Sequence, residues 1–435
     1  MSLFIFIGMI FLPAFACANS LQENESHALL DYGFTVNTKI KTLAAGKETD
    51  SWTKTDDIKA IQMADTLPDS FVPSEANTIS AEESGYPVYI FFDNTDGAGI
   101  LYIYTEGKTV FMNPNSSYML YRHTALTDIS ALADWDTSRV VSMFGLLYGA
   151  KSLKSALALK NWDTSNVEDM RFLFAGDVSL EYVDVSNWNT SKVTTMSSMF
   201  QVGEKHAGNG QLREILGLGD LDVSNVTDMT CMFYGAGNMT YYDVARWDVS
   251  KVESMNHMFC DNYELKSLDL SAWDVSSVKT IYCMFDDAQK LKTIGDVSHW
   301  NTVSLIDAGG WLNDARSFIG DNLGTLDLSG WNTSNLQAAG EMFLRTKLHA
   351  IDLSGWTFDS VTNARWDGAG RGIYYESGND SEVLKGFGQM FKDSKDLTMV
   401  YVSQSGLDSF NGVVETGVNI EDMWTGTNAK GFTVK

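Results

Sequence analysis

The sequence has few of the residues that mark several large classes of protein. Proline occurs only 5 times in 435 residues while 44% of the residues are hydrophobic, which excludes a disordered chain, and a mean hydropathy of −0.13 excludes a membrane protein with many spans. Basic residues are also scarce, because 31 Lys and Arg stand against 56 Asp and Glu, for a net charge of −25. Such a charge repels a phosphate backbone, so we expect no nucleic-acid partner.

Cysteines are few and catalytic motifs are absent. Cys17 lies in the apolar N-terminal segment, and only Cys231, Cys260 and Cys283 follow it. An odd number of cysteines cannot form a fully paired disulfide framework, so the stability must come from the core. The sequence contains no H-E-x-x-H, C-x-x-C or G-x-S-x-G pattern. We therefore expect no enzyme activity, no metal site and no cofactor.

The N-terminal residues 1–18 predict a secretory signal peptide. Residues 3–15 are almost wholly apolar, and the alanines that follow suit cleavage after Ala16 or Ala18. The sequence therefore predicts a secreted or cell-surface protein whose mature chain has no transmembrane span. Cys17 stands where a bacterial lipobox cysteine would, so lipid attachment is an alternative to ordinary cleavage.

A tryptophan phrase recurs along most of the chain at intervals near 26 residues. It reads W-D-T-S-R-V at Trp135, W-D-T-S-N-V at Trp162 and W-D-V-S-S-V at Trp273, and Leu221 replaces the tryptophan in one of nine units. Such a period predicts a repeat protein in which neighbouring units share one core. The anchor tryptophans are interpreted as a stacked core ladder, with an exposed sugar-stacking stripe as the alternative. They are Trp135, Trp162, Trp188, Trp247, Trp273, Trp300, Trp331 and Trp356.

Each unit contains two hydrophobic periods. Residues 265–271 end in an alternation of apolar and polar side chains, which is typical of a half-buried strand. Beyond the tryptophan, Val278, Ile281 and Met284 have the spacing of one face of a short helix or 3₁₀ turn. The sequence therefore predicts a repeat solenoid over residues 123–402, with nine to ten units of parallel short strands and short helices or 3₁₀ turns.

Non-repeating segments flank the units. Residues 19–122 predict an N-terminal α+β cap, with a helix around residues 57–65 and a β-hairpin formed by residues 88–92 and 100–104. Residues 403–435 predict a C-terminal cap. Both ends need a cap because stacked strands would otherwise present unpaired edges and apolar side chains to water.

A row of acidic residues stands four positions before the anchors. Strand alternation directs these side chains away from the core, and strands about 4.8 Å apart would stack their carboxylates into a column of like charge. A solvated face that prevents aggregation, a surface for a partner and a row of calcium ligands all remain open. As candidates for partner binding, the row comprises Asp184, Asp243, Asp269, Asp296, Asp327 and Asp352. A second row of Asp and Asn, directly after the anchors, is predicted to hydrogen-bond the backbone at a turn.

The repeated phrase resembles the BspA-type leucine-rich repeat of bacterial surface proteins. The copy L-K-S-L-D-L-S-A-W-D-V-S-S-V-K-T-I-Y-C-M-F occupies residues 265–285, and the resemblance extends over about residues 126–402. It implies an α/β leucine-rich-repeat solenoid that is secreted or displayed on the cell surface. It also implies a role in adhesion or host interaction, without catalytic or cofactor residues.

These observations favour an adhesin-like interaction protein over an enzyme. We expect a host-surface or extracellular-matrix partner, with basic patches that complement the acidic row, bound at the strand face or at the insertions on the loop edge. The alternative function is a secreted carbohydrate-active or other enzyme with its chemistry in the N-terminal region or in the insertion at 367–388. An enzyme needs a convergent pocket, whereas the repeats offer extended surfaces.

Overall fold

The structure, a computed structural model, describes residues 27–55, 57–203, 209–320, 324–363 and 386–435. The predicted signal peptide, Cys17 and nearly all of the insertion at 367–388 lie outside these residues.

The N-terminal region combines one helix with two small sheets. The elements are α1 (Gly33–Ala45), β1 (Ala28–Leu29), β2 (Ala60–Met63), β3 (Tyr89–Asp93), β4 (Ile100–Tyr104) and β5 (Val110–Phe111). Strand β1 pairs in parallel with β5, and a second sheet has the order β2-β4-β3. Strands β3 and β4 are antiparallel and form the hairpin that the sequence predicts.

The predicted helix around residues 57–65 is wrong. Strand β2 occupies this segment and pairs in parallel with β4, from Ala60 opposite Ile100 to Met63 opposite Ile103. A partner strand distant in sequence decides the conformation here, because pairing and burial outweigh local propensity. The helix of this region is α1 instead, which begins 24 residues earlier in the chain.

From residue 115 onward, each unit pairs in parallel with the next. We call the segment before each anchor the strand side. Its strands are β6 (Ser155–Ala156), β7 (Tyr182–Asp184), β8 (Glu214–Leu216), β9 (Thr325–Asp327), β10 (Ala350–Asp352), β11 (Met399–Val402) and β12 (Thr433–Val434). One sheet has the order β6-β7-β8 and another the order β12-β11-β10-β9. Short 3₁₀ helices accompany them at Ser130–Asp134, Leu157–Leu159 and Leu218–Asp220, and helix α2 spans Gln404–Glu415.

A second series of parallel bridges links the units on the turn side, the segment after each anchor. It joins each of the following residues to the next: Asn115, Ser142, Asp169, Thr195, Asp228, Ser254, Thr280, Asp307 and Ala338. The units therefore stack in chain order and share backbone hydrogen bonds along two segments.

The turn side consists of successive turns where short helices or 3₁₀ turns were predicted. Met284 donates its backbone N–H to the Ile281 carbonyl within a turn, whereas Cys283 donates to the Gly309 carbonyl of the next unit. Cys283 has a left-handed φ of 51°, which is incompatible with a continuing right-handed helix. Because alternate N–H groups bond to the neighbouring unit, no ladder of helical hydrogen bonds forms.

One apolar core passes through the stacked units. One phenylalanine from each of five successive units, preceded by Met or Leu, stacks on the next with ring centroids 5.4 to 5.7 Å apart. This column comprises Phe174, Phe200, Phe233, Phe259 and Phe285. Each unit thus covers the ring of its neighbour, which is how units too small to fold alone obtain a core.

Candidate interaction surfaces

The structure places the anchor tryptophans in the core. Their side chains are between 1% and 6% exposed, and each indole N–H after the first donates to a backbone carbonyl of a preceding unit. Trp162 bonds to Leu132 at 2.8 Å and Trp273 to Val244 at 2.9 Å. Burial on this scale leaves no aromatic face for stacking on a sugar.

The acidic row divides into exposed and buried members. The exposed ones are Asp243, Asp269, Asp296 and Asp327. Asp269 Oδ1 accepts the backbone N–H of Ser271 at 3.1 Å, and Asp296 and Asp327 make the equivalent bond with the serine two residues later. The side-chain and backbone hydrogen bonds from Ser298 lower the pKa of Asp296, so this carboxylate is charged at neutral pH.

The expectation that the whole row points to solvent is wrong at Asp184 and Asp352, which are 6% and 5% exposed. Lys160 Nζ lies 3.4 Å from Asp184, and Lys435 forms an ion pair with Asp352. Burial raises the pKa of Asp184, but the hydrogen bonds from Ser186 and the charge of Lys160 lower it by more. The net result is a pKa below the usual value for Asp. At Asp352 burial likewise raises the pKa, and the hydrogen bonds from Lys435 and Ser354 lower it by more. Both carboxylates are therefore already matched by a cation of this chain.

The second row confirms the prediction of turns. Each side chain accepts the backbone N–H of the residue two positions later, at 2.9 to 3.4 Å. The row comprises Asp136, Asp163, Asn189, Asp222, Asp248, Asp274, Asn301 and Asn332. Asp and Asn are therefore equivalent at these turns, because the side-chain oxygen of either residue accepts the same backbone N–H.

No group of three or more His, Cys, Asp or Glu side chains that could hold a metal ion occurs among the described residues. No helix in the described part of the chain is long and apolar enough to cross a membrane. The sequence also has an insertion near residues 202–210 on the loop edge, and its charged residues Glu204 and Lys205, candidates for contact with a partner, lie outside the described residues.

The parallel bridges between units, together with the acidic row and the second row of Asp and Asn, show a repeat protein built from stacked units. The family model described as "Mycoplasma protein of unknown function, DUF285" matches residues 115–215, 207–324 and 295–366. Because these matches together cover more than half of the chain, the protein belongs to this family.

No curated protein is significantly similar to the chain. One similar solved structure is titled "Crystal structure of TLR13-ssRNA13 complex", with 14% sequence identity and a TM-score of 0.27. The similarity covers 75% of this chain and 43% of the other, so this chain spans less than half the length of that one. A similarity this distant assigns neither a fold nor a ligand.

Proposed function

We propose that this protein is a leucine-rich-repeat solenoid, secreted or displayed on the cell surface, that acts as an adhesin-like interaction protein rather than an enzyme. Its partner is a host-surface or extracellular-matrix protein that presents basic patches to the exposed part of the acidic row. Membership of the repeat family and the parallel bridges between successive units support the architecture.

The observation that carries the binding proposal is a difference between the two rows. Both rows accept a backbone N–H two residues later, and the second row does so with Asn at positions 189, 301 and 332. The turn therefore requires an oxygen and not a charge. At the position four residues before the anchor, six of the nine units nevertheless carry Asp and none carries Asn; Ala131, Ala158 and Gly217 occupy the other three.

Part of this charge lies where it opposes folding. Asp327 is the direct partner of Asp352 in the parallel pairing of β9 and β10, and like charges at adjacent positions of a sheet destabilise it, although Lys435 offsets the charge of Asp352. Asn would keep the turn and remove the repulsion. A partner with basic patches would explain why the acidic row keeps its charge. Exposed carboxylates attract such a partner over about one Debye length.

The test compares two triple variants with the same change in charge. Asp269→Asn, Asp296→Asn and Asp327→Asn together remove charge from the acidic row and keep an oxygen for the turn. Asp222→Asn, Asp248→Asn and Asp274→Asn make the matched change in the second row. Binding is measured on immobilised extracellular-matrix proteins of high and low isoelectric point, with the full chain in solution.

We expect the first triple variant to lose binding to the basic proteins, mainly through a slower on-rate, and the second to retain it. Higher salt should slow association of the parent chain. Binding that ignores both salt and the first triple change would contradict the proposal. A thermal unfolding curve for each variant confirms that the repeats remain folded.

The non-enzymatic part of the proposal has a separate test. The purified chain should show no turnover above buffer on a panel of glycoside, ester and peptide substrates. Reproducible turnover that one carboxylate or serine substitution abolishes would reject it.

A further inference from the structure

An exposed aromatic surface lies where the N-terminal region meets the turn side of the first units. We define the aromatic surface as Phe34, Trp52, Tyr118, Tyr121, Phe144 and Tyr148. The Trp52 ring contacts Phe34, Tyr118 and Tyr121 edge-on, with centroids 5.4 to 5.6 Å apart. Trp52 is 48% exposed and Phe34 is 41% exposed. Rings packed edge to face hold one another in place and lose little freedom when a partner binds.

Glycines in the next units keep this surface open. Gly145 has a φ of +57°, and a Cβ atom at this position would lie 3.0 Å from two ring atoms of Tyr118. Gly149 has a φ of +77°, and a Cβ atom there would lie 3.4 Å from Arg122 Cγ. The side chains of Tyr118 and Arg122 therefore pack against Gly145 and Gly149, which have no side chains that could cover them.

Charged groups of both signs lie next to these rings: the Asp50 carboxylate lies against the backbone of Trp52, the Lys41 amine is buried, and Arg122 is an exposed cation. Lys41 Nζ and the Arg122 guanidinium lie 5.4 and 5.5 Å from the centroid of Tyr121, and Arg171 lies 4.8 Å from that of Phe144. Arg171 is paired with Asp169 at 2.6 Å. Arg122 is exposed and donates one N–H to the Trp52 carbonyl at 3.2 Å. Among the described residues it has no carboxylate within ion-pair distance, so its other N–H groups can bind a partner.

The arginine at Arg122 differs from the residues at the same position in later units. Arg122 begins a column of left-handed residues whose N–H groups each bond to the following unit. In later units this column contains Asp261, Asp287, Asp314 and Asp393, and its one other arginine among the described residues, Arg345, is paired with Asp314 at 2.6 Å. A chain with a net charge of −25 thus places an arginine, which pairs with no carboxylate of the described residues, among exposed and half-buried aromatic rings at one end of its turn side.

We propose that the aromatic surface binds an acidic polypeptide segment of a partner protein. Carboxylates of the segment pair with the fork of N–H donors on Arg122, and its apolar side chains pack on Trp52 and Tyr148. Tyr, Trp and Arg are the residues that most often dominate binding energy in protein interfaces. This surface is distinct from the acidic row, because it belongs to the turn side and has the opposite charge preference.

The test uses the full chain and fluorescence anisotropy with two labelled probes, a copolymer of Glu and Tyr and a copolymer of Lys and Tyr. We expect the Glu–Tyr probe to bind more tightly than the Lys–Tyr probe. Arg122→Gln and Trp52→Ala should each weaken binding of the Glu–Tyr probe about tenfold. The controls are Arg246→Gln and Tyr241→Ala, exposed residues on the strand side, which should change binding by less than about twofold.

Several outcomes would overturn the proposal. Preference for the Lys–Tyr probe, or equal losses in the strand-side controls, would show that the surface does not select an acidic segment. A glycan array that binds the parent chain and the Arg122→Gln variant but not Trp52→Ala would assign the rings to a sugar. Sedimentation that shows a dimer lost in the Arg122→Gln variant would assign the surface to a second copy of the chain.

Discussion

The first anchor tryptophan differs from the later ones by a single hydrogen bond. Trp162 and its successors donate the indole N–H to a carbonyl of a preceding unit. Trp135 follows the N-terminal region rather than a repeat unit, and its Nε1 atom is buried with no hydrogen-bond partner among the residues that the structure describes. A buried donor without an acceptor costs about 1–3 kcal/mol. The same residue type is therefore satisfied in the array and unsatisfied where the array begins.

This contrast predicts different costs for the same substitution. Trp162→Phe removes ring volume and leaves the Leu132 carbonyl without its donor, whereas Trp135→Phe removes ring volume together with an unsatisfied N–H. The free energy of unfolding should therefore fall by about 1–3 kcal/mol more for Trp162→Phe than for Trp135→Phe. Urea denaturation of the two variants measures the difference, and equal losses would contradict the assignment.

Lys41 is a buried charged group in the N-terminal region. Its side chain is 1% exposed, and Nζ donates to the Ser51 carbonyl at 2.7 Å. Burial, assisted by the nearby charge of Arg122, lowers the pKa of Lys41 from 10.5 to about 7. The unfolded chain therefore binds more protons than the folded chain between these values.

Stability should consequently increase as pH rises from 7 to 9.5, by up to about 1.4 kcal/mol per pH unit from this group. The variant Lys41→Met should remove that increase. Lys47 is exposed, and Lys47→Met is the control that should retain it. Denaturation midpoints at several pH values provide the measurement, and an unchanged slope in Lys41→Met would contradict the predicted effect.

At the scale of the element, the turn side depends on close approaches of backbone between units. Gly235 has a φ of +74°, and a Cβ atom at this position would lie 2.6 Å from Gly203 Cα. Its N–H also bonds to the Cys260 carbonyl of the next unit at 2.9 Å. No side chain fits between the two glycines while the parallel bonding is kept.

Gly235→Ala should therefore destabilise the protein by at least about 2 kcal/mol, through the left-handed backbone and the clash together. Gly412 lies inside α2, and a Cβ atom there would contact nothing within 4 Å. Gly412→Ala should stabilise the protein by about 0.4–1 kcal/mol. Thermal unfolding of both variants tests the pair, and a neutral Gly235→Ala would contradict the close approach.

At the scale of the whole molecule, the phenylalanine column couples each unit to its neighbours. Phe259 stacks on Phe233 at 5.4 Å and on Phe285 at 5.5 Å, and all three side chains are fully buried. In a stacked array, stability is the sum of unit and interface contributions. A substitution in the middle of the column weakens two interfaces at once.

Phe259→Ala should lower the free energy of unfolding by about 3–5 kcal/mol, because it opens a cavity between two interfaces. Tyr241 is 51% exposed, and Tyr241→Ala should change stability by less than about 0.5 kcal/mol. Chemical denaturation followed by tryptophan fluorescence distinguishes the two. A loss below about 1 kcal/mol for Phe259→Ala would indicate that the units fold independently of the column.

The sequence by itself determined the features that depend on position within the repeat. The period of the anchors and the turn bonds of the second row, such as Asp274 to Ser276, follow from it. These features are predictable because each one recurs in eight of the nine units, so a local pattern is repeated along most of the chain.

Only the tertiary structure decided how each unit meets its neighbours and the N-terminal region. The turns around Cys283 replace a helix because their N–H groups bond to another unit, and β2 is a strand because β4 lies beside it. Asp184 is buried beside a lysine from the preceding unit, and the rings around Trp52 meet across distant parts of the chain. Each of these outcomes depends on contacts between residues far apart in sequence, which no local periodicity encodes.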